Sequence, residues 1–108
     1  MSKTFDSRGA KYDAGKPRMD LVLRGFPQGL LEVAKVLTFG ANKYAAHAWK
    51  NVPNAVSRYE AALLRHLIAH SKGEVVDPES GLPHLAHAAC NMMFLLELNA
   101  NGAEYNPE

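Results

Sequence analysis

From Pro27 onward the apolar residues recur at intervals of three and four and never alternate in twos. Leu30, Val33, Ala34 and Leu37 make one stripe. Tyr59, Ala62, Leu63 and Leu67 make a second, and Leu82, Leu85, Ala86, Ala89, Met93 and Leu96 make a third. A chain with this period buries helix faces and has no half-buried strand to offer; Val52 and the Val75–Val76 pair are isolated. The expected fold is therefore all-α: a small bundle of three main helices plus a short one, preceded by an irregular basic arm.

Proline and glycine divide that pattern. Residues 1–26 show no helical period and read as a basic N-terminal arm whose second half, with Met19, Leu21, Val22 and Leu23, docks on the body. Residues 27–101 form the helical domain and 102–108 a polar tail. Pro27 suits a first turn and Gly40 a C-terminal stop, with a short helical turn over 41–49. The second helix starts at Asn54 or at Ser57, whose spacing to Glu60 is that of a capping box, and ends at Gly73. Asp77-Pro78 opposes helix between them, and Ser80 is placed to cap the last helix.

With 108 residues, 47% of them hydrophobic, the chain suits one domain with an adequate but not generous core. The last helix is apolar nearly all round, as a central element is, and a homo-oligomer is expected to cover what three helices cannot. The net charge of +1 excludes strong sequence-independent attraction to duplex nucleic acid. Cys90 is the single cysteine, among Ala88, Ala89 and Met92, and reads as a small core residue in a reducing compartment. No apolar stretch resembles a signal peptide or a membrane span, so a cytoplasmic location is expected, in the host cytoplasm if the chain is phage-encoded.

Four of the five histidines lie between positions 66 and 87. His66 and His70 share a face of one helix. His84, His87 and Asn91 form a stripe on the next, and Glu74, Asp77 and Glu79 occupy the turn between them. Burying such a stripe unpaired costs roughly 1–3 kcal/mol per polar group, so it must pair with itself, a metal or a ligand. Two readings follow: a polar network at a helix seam, or a divalent metal held by His66, His70, Asp77, His84 and His87, with Asn91 behind them. Of magnesium, manganese and zinc, this donor set suits the last two better than magnesium; iron and nickel fit it too. Glu74, Asp77 and Glu79 are the candidate catalytic acids.

Candidate phosphate contacts are Lys11 and Lys16 in a glycine-broken loop, and Arg58 and Arg65 on a common face of the second helix. The loop is not a P-loop: Gly9 is one residue out of register, and Pro17 stands where a hydroxyl is needed.

The run Gly9-Ala-Lys-Tyr-Asp-Ala-Gly-Lys-Pro-Arg-Met-Asp-Leu21, then Phe39-Gly-Ala-Asn-Lys-Tyr44, Leu64-Arg-His66, and Gly73-Glu-Val-Val-Asp-Pro-Glu-Ser-Gly81 on through His84, His87 and Asn91, resembles a phage-associated family, the N-terminal domain of dATP/dGTP diphosphohydrolases. The helix–acidic turn–helix order is more distantly similar to the all-α nucleotide pyrophosphohydrolases of the MazG type. Those hold magnesium on paired carboxylates, and here His84 and His87 occupy the spacing of the second pair. The resemblance implies metal-dependent hydrolysis of deoxynucleoside triphosphates to monophosphate and pyrophosphate. The missing carboxylate pairs leave an alternative, a non-catalytic phage protein that binds or sequesters a nucleotide or nucleotide-derived signal.

Overall fold

A computed structural model describes residues 14–106. Its elements are α1 (Met19–Gly25), α2 (Pro27–Lys43), a 3-10 turn (Ala48–Asn51), α3 (Ala55–Ser71) and α4 (His84–Ala100). Among the described residues there is no strand, only an isolated antiparallel bridge between Val76 and Pro83. No described helix is long and apolar enough to cross a membrane. The chain is an all-α domain, as its periodicity predicts.

Helix α4 is the central element, packed along α3 and also touching α2 and the 3-10 turn. Its Ala86, Ala88 and Cys90 are buried, and these small side chains let the neighbouring helices approach. Val36 of α2 closes on Ala86 and Cys90, with Val33, Leu82 and Phe94 around them. At the other end Trp49 stacks on Phe94 at 4.5 Å between ring centroids. Tyr59 packs on the same ring and donates its hydroxyl to the Trp49 carbonyl at 2.7 Å.

Several boundaries differ from the sequence expectation. The arm is not irregular to residue 26, because Met19–Gly25 is helical. Asp20 in its first turn and Arg24 in its last suit the helix dipole. Phe26 precedes a proline and is pushed out of the helical region, to φ −132° and ψ 47°, so α1 and α2 are separated by one residue. The side chains of Met19, Leu21, Val22 and Leu23 are all exposed and do not dock on the body.

Gly40 does not stop α2. It keeps a helical conformation, and the helix runs three residues further to Lys43, capped by Tyr44, whose N–H reaches the Gly40 carbonyl at 2.9 Å. Neither serine caps a helix. Ser57 lies inside α3 and donates to the Asn54 carbonyl, while Ser80 is turned toward His87. Asn54 holds the N-cap position of α3 and Pro83 that of α4, neither with a side-chain capping bond, and Gly102, at φ +85°, follows the C-terminus of α4. Nor is α4 covered on all sides, since Leu85, Met92, Met93 and Leu96 are exposed.

Candidate functional site

The end of α3 sets the site. Gly73 takes φ +100°, which a side chain would resist, and so permits a Schellman closure. Its N–H bonds the His70 carbonyl at 2.9 Å, and the N–H of Glu74 reaches back to Ala69 at 3.0 Å. The chain then folds on itself. Asp77 N–H donates to Leu82 O, Gly81 N–H to Asp77 O and His84 N–H to Val75 O, all within 2.8–2.9 Å. This double-back carries Glu74 and Asp77 to the first turn of α4, opposite the histidines of α3.

Three predicted ligands meet there. One donor atom from each of His66, Asp77 and His84 lies within 4.8 Å of the others. His84 is 4% exposed, and its Nδ1 faces Nδ1 of His66 at 2.8 Å. Asp77 Oδ1 accepts the N–H groups of Glu79 and Ser80 at 2.8 and 3.1 Å. Its other oxygen, Oδ2, is left pointing at His66 Nδ1, 3.9 Å away. Burial pushes the Asp77 carboxyl up, but those two N–H groups, with His87 and His66, outweigh it and hold the group below the usual aspartate value.

His87 lies flat on His66, with centroids 4.6 Å apart and planes at 10°, and its Nε2 is 2.6 Å from the Ser80 hydroxyl. Burial, then the repulsion of His87 and His84, lowers the His66 pKa. His87 is lowered chiefly by burial as well. Both rings are therefore neutral near pH 7, with lone pairs available to a metal.

The remaining predicted residues separate into distinct places. His70 lies outside the three-residue group; its Nδ1 is buried without a hydrogen-bond partner. Asn91 is 7% exposed and donates to the His87 carbonyl at 3.0 Å, so it braces the backbone beneath that ring. Glu74 Oε1 meets His84 Nε2 at 2.7 Å. Glu79 is exposed and pairs with Lys43 at 2.6 Å, tying the turn to the end of α2. Arg58 and Lys16 are exposed, and Lys11 lies outside the described residues.

Arg65 lines a shallow groove of about 390 Å³ together with Ile68, Ala69, Lys72 and Glu74. Two features had escaped the sequence reading. Lys72 stands seven residues after Arg65, a spacing that does predict a shared helix face. The Ser80–His87 contact had no signal in the sequence, because it depends on the path of the turn.

The donor set fits a metal ion. The two Nδ1 atoms are separated by a distance close to the edge of a coordination shell with metal–nitrogen bonds of roughly 2.0–2.1 Å. The carboxylate offers a single oriented oxygen to complete a face.

Comparison with known proteins points the same way as the motifs. A family model described as dATP/dGTP diphosphohydrolase, N-terminal, matches residues 6–108. The chain is 37% identical over 93 residues to a Salmonella phage PMBT28 protein named dATP/dGTP diphosphohydrolase. That alignment covers 86% of this chain and 30% of the relative, so the chain spans about 30% of that protein's length. No solved structure matches it. With the family match running through both the arm motif and the histidine-bearing hairpin, the chain belongs to the dATP/dGTP diphosphohydrolase N-terminal family.

Proposed function

We propose that this chain carries the metal centre of a nucleotide hydrolase that cleaves a deoxynucleoside triphosphate, dATP or dGTP, to the monophosphate and pyrophosphate. The observation that supports this most is the convergence of His66, Asp77 and His84 from two helices and the turn between them. The name of the phage relative supports the substrate class.

A divalent ion bound there supplies a Lewis acid for a phosphate oxygen and for water. His66 and His84 would hold it through Nδ1, and Asp77 through Oδ2. Arg65 and Lys72 flank the groove beside Glu74 and supply the positive charge that a polyphosphate needs. Water adds to the α-phosphorus, the bond to the pyrophosphate oxygen breaks, and one proton must leave the water. His87 is the acceptor in this reading, being neutral, stacked on His66 and joined to the Ser80 hydroxyl. Glu74 and Glu79 are engaged by His84 and Lys43 and are not used as the base.

Incubation with dATP and dGTP and each of manganese, zinc and magnesium, followed by separation of nucleotides, tests the reading. Monophosphate and pyrophosphate in equal amounts are expected. Tight binding with the triphosphate recovered intact under every metal would replace hydrolysis by capture.

A further inference from the structure

We propose that Glu74 is a positioning residue for the metal centre, and that the site it completes selects a first-row transition-metal dication over magnesium. The inference rests on the metal reading above and extends it to a residue and a metal class.

The geometry around His84 carries the argument. The ring has two nitrogens and each has one partner: Nε2 meets Glu74 Oε1 at 2.7 Å, and Nδ1 meets His66 Nδ1 at 2.8 Å. A carboxylate accepts and cannot donate, so the proton on Nε2 is fixed by Glu74. The two Nδ1 atoms can share one proton, or can both face one metal ion lying off the line that joins them. Glu74 thus keeps the Nδ1 lone pair of His84 turned toward the metal position, and its negative charge makes that nitrogen a stronger donor. Because His84 is nearly fully buried, no water competes for Nε2 as it would on an exposed ring.

The acid is held in place by the backbone. It follows directly on Gly73, whose positive φ closes the Schellman end of α3, so the helix terminus itself aims Glu74 at α4.

The donors also discriminate among ions. Two imidazole nitrogens and one carboxylate oxygen suit manganese, iron, cobalt or zinc. Magnesium demands oxygen ligands and retains its water. The one carboxylate in the set has its second oxygen occupied by two backbone N–H groups, so an all-oxygen shell cannot form from Asp77 alone.

The test uses the full chain, stripped with chelator, and cobalt(II) or manganese(II) chloride without nucleotide. Cobalt(II) should bind with a visible d–d absorption band, and a large excess of magnesium should leave that band unchanged. Glu74→Ala should weaken cobalt and manganese binding by about 10–100-fold, with Glu74→Gln intermediate because it keeps an acceptor oxygen without the charge. Glu79→Gln, in the same turn, should bind as the parent does. Nitrogen-15 NMR of the imidazoles should show His84 protonated on Nε2 in the parent and a mixture of tautomers in Glu74→Ala, which a purely structural role would not produce. Magnesium competing on equal terms, or Glu74→Gln and Glu74→Ala binding cobalt as tightly as the parent, overturns the proposal. Cobalt binding as described with no nucleotide cleaved leaves this inference standing and removes the hydrolase reading. Cleavage that survives chelator, with no cobalt bound, overturns this inference and the metal centre with it, and leaves only the hydrolysis of the triphosphate.

Discussion

His66 and His84, 18 residues apart, present their Nδ1 atoms to one another at 2.8 Å, one from the C-terminal half of α3 and one from the first position of α4. The contact needs a single shared proton. That proton lies on one ring or the other, so the contact ties the tautomers of the two rings together.

Replacing His84 by alanine should remove metal binding and also cost stability. The ring is buried, and its loss leaves His66 Nδ1 and Glu74 without their partner, a penalty of about 1–3 kcal/mol. His66→Ala should abolish metal binding with a smaller loss, since that ring is less buried. Urea denaturation and metal titration of both variants check this. Metal binding intact in either variant would exclude it as a ligand.

Stability of the metal-free protein should fall on acidification below the ordinary histidine value of 6.5. Burial is the main cause that lowers both His66 and His87 in the folded chain. Above that value both states are neutral and pH has no leverage through these rings. Below it the unfolded chain binds protons that the folded chain refuses, so the equilibrium moves toward unfolding. Asp77, held low by its backbone donors, adds a loss in the same direction only at more acidic pH. The urea midpoint should be lower at about pH 5.5 than at about pH 7.5; equal midpoints would contradict the neutral-imidazole assignment.

Gly73→Ala should destabilise the protein by about 1–2 kcal/mol through the backbone alone, because the new methyl meets no atom within 4 Å while φ is +100°. The same change should disturb Glu74, so metal affinity should fall with it. Thermal melting and cobalt titration on one preparation measure both effects. Unchanged affinity beside reduced stability would separate the helix end from the site.

Cys90 should be inert in the native protein. It is 2% exposed, and burial pushes its thiol up to about 11, so little thiolate exists at neutral pH. Labelling with a chromogenic disulfide should be slow in buffer and fast in denaturant. Rapid native labelling would mean that α2 opens away from α4.

The exposed Leu85, Met92, Met93 and Leu96 of α4 predict self-association, with a second copy covering the face that the described helices leave open. Light scattering at micromolar concentration should give a dimer or larger, and Met93→Glu with Leu96→Glu should shift it toward monomer. A monomeric parent would show that the face remains solvated.

The three long helices were legible from spacing alone, because a 3.6-residue period is a local property and each stripe declares its own face. Pro27 and Gly73 marked two ends correctly, one through its fixed φ and the other through its freedom at positive φ. Of the two starts offered for α3, the chain uses Asn54; Gly40, Ser57 and Ser80 mark no boundary for one shared reason. Each residue type permits a helix boundary without compelling it, and the neighbouring backbone decided otherwise.

At the site, periodicity put His66 and His70 on one face and His84 and His87 on another, and sequence could go no further than that pairing. Which of them converge depends on the register between α3 and α4 and on the doubled-back turn of residues 74–83, set by backbone hydrogen bonds across the turn and by close packing around Ala86 and Cys90. That register admits His66, leaves His70 one turn too far along, and gives Glu74 to His84 instead of to a substrate. The sequence by itself determined the helices and the chemical types available to the site. The tertiary structure alone chose which candidate donors meet, because hydrogen bonds and coordination act over about 3 Å, and only the packing of α3 against α4 brings residues from separate elements to that distance.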